Sequence, residues 1–239
     1  AYATSPDTPL ASHKKSILLS CFLMGILIAL LLIWLKKLFI TNVEDPNWIE
    51  QKFNVPNLAI IPYSPKQKEQ MLKLKKVGEL PLLAYTAPKD MVIESLRSLR
   101  TSVQISLLGA SGNVVAILGI SPSVGKSFIS ANLACLLAVT GKRVLVIDAD
   151  LRKGTQHKYM GLPAFPGVTD IINQNISSAA AIHKTLQENL YLIPKGNYVH
   201  DPSELLASNK FTDLIAEVSK EFDIVILDTA PILLVTDAV

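Results

Sequence analysis

Residues 119–127 read Gly119-Ile-Ser-Pro-Ser-Val-Gly125-Lys126-Ser127, a loop of small residues that ends in Gly-Lys-Ser. An apolar run from Val114 to Leu118 precedes the loop, and a second run from Phe128 to Thr140 follows it. The pattern predicts a strand, a loop and a helix in succession. Such a turn directs several backbone N–H groups and the positive end of a helix at one point, which suits a polyphosphate. We therefore expect the chain to bind a nucleoside triphosphate.

The spacing of this loop is a variant, because five residues separate Gly119 from Gly125 where the standard phosphate-binding loop has four. An ordinary glycine turn is the alternative for an isolated Gly-Lys-Ser. If the loop binds nucleotide, Lys126 reaches the β- and γ-phosphates and the Ser127 hydroxyl binds Mg²⁺. The predicted nucleotide-binding residues are Ser123, Val124, Gly125, Lys126, Ser127 and Phe128.

Two further apolar runs end in carboxylates. The first is Arg143-Val-Leu-Val-Ile147-Asp148-Ala-Asp150-Leu-Arg152, and the second is Phe222-Asp-Ile-Val-Ile-Leu-Asp228-Thr-Ala-Pro231. Short apolar runs of this kind are typical of buried parallel strands, whose carboxyl ends bind ligands in open α/β sheets. Oxygen ligands suit Mg²⁺, so the expected metal set is Ser127 and Asp228 with Asp148 or Asp150. A helix cap or a turn is the alternative role for any one of these aspartates.

Together these segments predict an α/β fold, a doubly wound and mostly parallel sheet of the P-loop NTPase type. One transmembrane helix is expected to precede it. Residues 16–35 carry no charge and are long enough, at roughly 1.5 Å per residue, to cross a bilayer. A buried core helix and a signal peptide are the alternatives. Eight lysines from Lys36 to Lys76 against two before the span place the carboxyl side in the cytoplasm.

The predicted organisation is an extracytoplasmic flank (1–15), the transmembrane helix (16–35), a juxtamembrane cytoplasmic linker (36–88) and a nucleotide-binding domain (89–239). Within the linker we expect a short helix beginning at Pro46 and a short buried strand from Leu58 to Ile61. Further along, the patterns predict a strand at 189–193, a capped helix starting at Ser203 and an amphipathic helix from Phe211 to Glu221.

These motifs resemble those of the bacterial tyrosine kinases, whose membrane-bound members are also polysaccharide co-polymerases. The shared segments are the loop ending in Lys126-Ser127, Val146-Ile-Asp148-Ala-Asp150-Leu-Arg152 and Ile226-Leu-Asp228-Thr-Ala-Pro231. The family also carries one Glu and two Arg at three-residue intervals ahead of the loop, which here are Glu94, Arg97 and Arg100. In the family this motif mediates subunit contact; without the family, a solvated salt-bridged helix explains it.

The resemblance implies ATP-dependent, Mg²⁺-dependent autophosphorylation of tyrosine between neighbouring identical subunits of a ring in the bacterial inner membrane. It also implies polysaccharide polymerisation and export machinery and a cognate tyrosine phosphatase as partners. Lys126, Asp148, Asp150 and Arg152 form the expected catalytic set. The resemblance favours Asp148 as acceptor of the tyrosine proton and Asp150 as metal support, although the residues themselves leave that assignment open. Arg152 is expected to orient phosphate or a neighbouring subunit.

Two other functions are compatible with the same sheet and loop. A membrane-recruited switch ATPase of the Min/Par kind has an additional lysine five residues before the catalytic one, and Ser121 stands there instead. A regulator of polysaccharide chain length without turnover is the other. The family's domain continues beyond the last carboxylate strand to a tyrosine-rich tail, whereas this chain stops at Val239, so we interpret it as a fragment.

Composition excludes several other classes of function. The net charge of +3 is modest and no basic stripe alternates with aromatic residues, so nucleic-acid binding is not expected. Histidines 13, 157, 183 and 200 lack metal-ligand spacing, and Cys21 and Cys135 lie in separate apolar segments, which predicts neither a zinc site nor a disulfide. The His-Arg-Asp and Asp-Phe-Gly signatures of ordinary protein kinases are absent from the sequence.

Overall fold

The computed structural model describes residues 14–39, 46–66, 69 and 82–232. The chain forms two compact units, residues 1–55 and residues 56–239. The described part leaves out most of the predicted extracytoplasmic flank, the lysines at 68, 73, 75 and 76, and the last seven residues. The predicted boundary between linker and domain at residues 88 and 89 stays a prediction. Ser64 falls in the predicted linker, yet it belongs to the second unit, and its hydroxyl donates to Asp90 of the same unit (3.5 Å).

The described residues of the first unit form two helices, α1 (Lys14–Phe39) and α2 (Pro46–Phe53). The stretch Lys14–Lys36 has a mean hydropathy of 2.9 and lies near the N-terminus, and by length and composition it could cross a membrane. Its large apolar side chains are exposed, from Ile17 to Trp34. The predicted span at 16–35 therefore lies within one continuous helix. As predicted, α2 begins at Pro46, whose missing N–H costs nothing in a first turn.

The second unit contains a five-stranded sheet with the order β1-β5-β2-β4-β3. Every neighbouring pair is parallel except the short edge pair β3–β4, which confirms the predicted mostly parallel sheet. The strands predicted around 114–118, 143–147, 189–193 and 222–227 are all present. The strand bounds are β1 Val114–Ile117, β2 Val144–Asp148, β3 His183–Lys184, β4 Leu190–Ile193 and β5 Ile224–Asp228.

Helices cover both faces of the sheet, because alternate residues of each buried strand point to opposite sides. On β2, Val144 and Val146 join the core beneath α5, whereas Leu145 and Ile147 join the core with α7 and α10. The doubly wound arrangement is thereby confirmed. In the part of this unit from residue 82 to residue 232, the helices are α3 Leu83–Thr86, α4 Met91–Leu108, α5 Lys126–Ala138, α6 Gln156–Tyr159, α7 Val168–Gln174, α8 Ser178–Ala181, α9 Pro202–Leu206 and α10 Asn209–Glu221.

Two local predictions differ from the structure. The predicted buried strand from Leu58 to Ile61 is wrong: the segment is irregular, and Leu58 and Ile60 are 42% and 63% exposed. Among the described strands it pairs with none, and the Leu58 carbonyl accepts instead from the Ser102 hydroxyl of α4 (3.3 Å). The helix predicted to start at Ser203 begins at Pro202 instead, because the Asp201 side chain caps it.

Candidate nucleotide-binding site

The loop between β1 and α5 adopts left-handed backbone at Ser123 (φ 61°) and Gly125 (φ 98°), just before α5 begins. Glycine adopts this conformation without strain. Gly119 has a different reason to lack a side chain. A Cβ there would lie 2.6 Å from Cδ of Lys126, a residue that is only 8% exposed. The glycine at position 119 therefore leaves the space that the lysine occupies.

The two carboxylates predicted at the sheet edge face one another across neighbouring strands. Asp148 ends β2, Asp228 ends β5, and the two residues are register partners. Both side chains are fully buried. The backbone pairing of β2 with β5 extends one residue beyond β2, where the Ala149 N–H donates to the Asp228 carbonyl (2.9 Å). The sheet thus brings two acidic groups into a single site.

Asp228 is held against α5 and α6 through both carboxylate oxygens. The Ser130 hydroxyl donates to Oδ1 (3.1 Å), and Gln156 Nε2 donates to Oδ2 (2.8 Å). The Ser127 hydroxyl also lies within hydrogen-bonding reach of this carboxyl group. The last strand of the sheet is therefore connected directly to the first turn of the helix that follows the phosphate loop.

Asp148 has one satisfied and one unsatisfied oxygen. Its Oδ2 accepts from the backbone N–H of Gln156 (3.0 Å), whereas Oδ1 is buried without a hydrogen-bond partner among the described residues. Gly154 lies against the same carboxyl group, since a Cβ there would lie 2.6 Å from each oxygen. A buried acceptor of this kind normally has water or an ion beside it.

Burial raises the pKa of Asp148 well above its usual range, and the charge of Asp228 raises it further. The Gln156 N–H and the Lys195 charge oppose that rise. Burial also raises the pKa of Asp228, although hydrogen bonds from Ser127, Gln156 and Ser130 oppose it. Two buried carboxyl groups that repel one another are stabilised by a cation between or beside them.

The residues at this point fit a magnesium ion. Mg²⁺ takes oxygen ligands, typically one or two carboxylates with phosphate and water. The Ser127 hydroxyl, the unsatisfied Asp148 oxygen and the Asp228 carboxylate supply that chemistry. In the described residues, no cluster of three or more His, Cys, Asp or Glu side chains could hold a metal by itself. The remaining ligands would therefore come from phosphate and water.

An open cleft of about 780 Å³ adjoins this site, a volume typical of small-molecule sites. All six predicted nucleotide-binding residues line it, from Ser123 to Phe128. Two further segments that the sequence did not indicate also line it: residues 61–64, and Val92 at the start of α4. The apolar side chains of these segments offer a surface suited to a flat ring.

Two predicted catalytic residues lie in the cleft but apart from the buried pair. Asp150 is partly exposed, and its Oδ1 accepts from the Lys153 N–H (2.9 Å). Arg152 directs Nη2 toward the Ser203 hydroxyl of α9 (3.3 Å). Both residues line the cleft, so both are accessible to a bound molecule in a way that Asp148 is not.

The three residues of the predicted subunit-contact motif are not equivalent. Arg97 donates to Glu94 on the exposed surface of α4. Arg100 instead donates through Nη1 to the Leu136 carbonyl (3.3 Å), in the last turn of α5. Carbonyls in a last helical turn lack intrahelical partners, so Arg100 helps to complete the end of that helix.

Sequence reasoning missed Gln156, which is fully buried at the centre of the site. It also missed Ser130 and Lys195. Ser130 lies one helical turn after Lys126, a spacing that could have placed it beside the phosphate loop. Lys195 follows β4, whose carboxyl end belongs to the same sheet edge, and that position was the available signal.

Comparison with known proteins places the chain among kinases. The family described as AAA domain matches residues 112–238. The tyrosine-protein kinase ptk of Acinetobacter johnsonii is 42% identical over 237 residues, which cover 99% of this chain and 32% of that protein. The chain therefore spans about a third of the length of the curated relatives it matches.

Solved kinase domains share the fold of the chain. The BceF tyrosine kinase domain is 38% identical, with a TM-score of 0.76 over 82% of this chain and 80% of that chain. The kinase domain of the Escherichia coli tyrosine kinase ETK is 31% identical, with a TM-score of 0.75 over 82% and 77%. The similarity thus extends over most of the α/β unit.

Proposed function

The chain belongs to the bacterial tyrosine kinase family, and on that premise we propose that it acts as an ATP-dependent protein-tyrosine autokinase. The observation that carries this proposal is the meeting of Ser127, Asp148 and Asp228 beside the phosphate loop. A hydroxyl and two carboxylates at the mouth of a lysine-containing loop are the groups that phosphoryl transfer from a nucleotide needs.

Catalysis in this site is chiefly positioning and charge neutralisation. The backbone N–H groups of the loop and the Lys126 ammonium bind the phosphates and offset their charge. Ser127, Asp148 and Asp228 are the residues that would hold Mg²⁺, with Asp150 close enough to add its charge to the same site. When bound, Mg²⁺ supplies neutralisation of the charge on the transferring phosphoryl group.

We assign acceptance of the tyrosine proton to Asp150 rather than to Asp148. A general base must come within hydrogen-bonding reach of the hydroxyl that it deprotonates. Asp148 is fully buried beneath Gly154, whereas Asp150 lines the open cleft. The distribution of roles is therefore the reverse of the one that the resemblance favoured. Arg152, also in the cleft, would orient phosphate or a neighbouring subunit.

Phosphorylation between identical subunits of a ring requires a contact surface, and we place it at the exposed pair Glu94 and Arg97 on α4. Both side chains are substantially exposed, at 59% and 37%. Arg100 contributes mainly by holding α4 against α5. On this proposal the three-residue motif combines one structural arginine with two groups available to a neighbour.

We further propose the inner membrane as the location, with α1 as the span and the kinase unit in the cytoplasm, where ATP is available. The apolar helix Lys14–Lys36 supports a membrane position. Regulation of capsular or exopolysaccharide polymerisation and export, with a cognate tyrosine phosphatase as a further partner, follows from the family resemblance.

The test is to incubate the full chain with γ-labelled ATP and Mg²⁺, followed by phosphoamino-acid analysis. Phosphotyrosine is the expected product, and Lys126→Met should lower it by about 100-fold or more because the phosphates lose their buried cation. Lys142→Met, on the exposed turn after α5, is the matched control and should leave it unchanged. Release of inorganic phosphate alone would favour a switch ATPase, and neither product would favour a regulator without turnover.

A further inference from the structure

Within the described part of the chain, Gln156 is the one residue seen to donate hydrogen bonds to both Asp148 and Asp228, the two aspartates proposed to hold the metal. It begins the short helix α6, and its side chain is fully buried. Its backbone N–H donates to Asp148 Oδ2 (3.0 Å). Its side-chain Nε2 donates to Asp228 Oδ2 (2.8 Å) and to the Ser127 carbonyl (3.0 Å). Gln156 therefore connects β2, β5 and the start of α5.

The orientation of this amide follows from its partners. Both the Asp228 carboxylate and the Ser127 carbonyl are acceptors, so the nitrogen of the amide must face them. The oxygen, Oε1, then points elsewhere, and it is buried without a partner among the described residues. Leaving a buried acceptor unsatisfied destabilises the folded protein, so such a group normally has water beside it.

The contacts also restrict how the aspartates can move. Ser130 holds Oδ1 of Asp228 and Gln156 holds Oδ2, so the carboxyl group cannot rotate without losing a hydrogen bond. Asp148 depends on the backbone of the same glutamine. A shift of Gln156 would therefore disturb both carboxylates and the main chain of Ser127 together.

We propose that Gln156 is a positioning residue for the divalent cation of the nucleotide site. Its amide nitrogen keeps Asp228 and Ser127 in the arrangement that binds the cation, and its Oε1 accepts a hydrogen bond from water in the site. This inference rests on the proposed nucleotide-binding function. Groups that orient metal ligands typically change metal affinity by about 10–100-fold when they are replaced.

The experiment measures how much Mg²⁺ improves ADP binding. The dissociation constant of a fluorescent ADP analogue is determined for the full chain in excess EDTA and again in saturating Mg²⁺, and the ratio of the two is the Mg²⁺ gain. Gln156→Met keeps the volume and the backbone N–H that donates to Asp148 but removes the side-chain hydrogen bonds to Asp228 and Ser127. In this variant the gain should fall by about 10-fold or more. The affinity in EDTA should change by less than about threefold, because the loop amides and Lys126 remain in place.

Asn132→Leu is the matched control. Asn132 is also fully buried, and its amide bonds the Ala84 N–H and the Phe128 carbonyl, away from the aspartates. This variant loses a buried amide as well, so it reports on general destabilisation, and it should keep the wild-type Mg²⁺ gain. Thermal unfolding of each variant verifies that the measured protein is folded.

Different results would overturn the inference and the proposed function. A folded Gln156→Met protein with the wild-type Mg²⁺ gain overturns the inference, and so does a wild-type chain that binds ADP equally well with and without Mg²⁺. A wild-type chain that binds no nucleotide overturns the proposed function itself. If the Met variant does not fold, Gln156→Asn keeps the amide but shortens the side chain by one methylene, and the same loss of gain is expected.

A measurement on the wild-type chain completes the test without any variant. In the complex with Mg²⁺ and ADP, the side-chain amide protons of Gln156 should exchange slowly with solvent, because both their acceptors are retained. Rapid exchange of these protons in that complex overturns the inference.

Discussion

Asp148 and Asp228 are register partners at the carboxyl ends of adjacent parallel strands, and both are fully buried. The pairing places two acidic groups where the sheet, the phosphate loop and α6 meet. It also has an energetic consequence, because burial and mutual repulsion raise the pKa of Asp148 and burial raises that of Asp228. A bound cation would therefore stabilise this pair of carboxyl groups.

Asp148→Asn should stabilise the metal-free protein at neutral pH. A carboxyl whose pKa is raised on folding favours the folded state below its unfolded pKa of about 4, and that contribution is lost as the pH rises toward the folded pKa. The asparagine does not titrate, so the gain in free energy of unfolding should be on the order of 1–3 kcal/mol at neutral pH. Below about pH 5 the difference should narrow.

Urea unfolding in EDTA across that pH range measures the effect. Asp213→Asn, on the exposed face of α10, serves as the control. Its free energy of unfolding should vary with pH in the same way as that of wild type. If the free energy of unfolding depended on pH in the same way for Asp148→Asn and wild type, the account would be contradicted. The Asp148 carboxyl would then have the same pKa in the folded and unfolded states.

Gly154→Ala should distort the aspartate pair. The added methyl group would lie 2.6 Å from both oxygens of Asp148, and overpacking of this kind typically costs about 1–3 kcal/mol. Gly112→Ala meets nothing within 4 Å and should change the free energy of unfolding by less than about 0.5 kcal/mol. Chemical denaturation of both variants decides the matter, and equal stabilities would show that Asp148 moves aside freely.

Arg100→Ala and Arg97→Ala should affect different properties. Loss of the Arg100 bond to the Leu136 carbonyl should lower the free energy of unfolding by roughly 1–3 kcal/mol. Loss of the exposed Arg97–Glu94 pair should change it by less than about 0.5 kcal/mol, yet weaken self-association in sedimentation experiments. Normal association of a stable Arg97→Ala protein would remove this residue from the proposed subunit contact.

The strands of the sheet, and the aspartates at the ends of two of them, could be predicted from the sequence because their signals are local. The runs ending at Asp148 and Asp228 are short and apolar, as buried parallel strands require, and the Gly-Lys-Ser loop marks its own position. The order of the strands is not local. That β5 lies between β1 and β2 follows from tertiary packing, and it is what makes the two aspartates neighbours.

Two other features could not be predicted from sequence patterns because they also depend on tertiary packing. The apolar residues Leu58 and Ile60 suggested a buried strand, but apolar character alone does not supply a sheet neighbour. Gln156 belongs to no recognisable sequence motif. Its place in the site comes from contacts with Ser127 and Asp228, which lie 29 and 72 positions away in the sequence. Polar residues buried by distant segments are the part of a site that periodicity does not reveal.

The most direct test of the central claim is the position of the metal in a crystal of the chain grown with ADP and Mn²⁺. The account predicts an anomalous manganese peak between the Ser127 hydroxyl and the carboxyl groups of Asp148 and Asp228, with the diphosphate over the loop at Lys126. A nucleotide bound elsewhere, or a manganese peak remote from all three side chains, would contradict it.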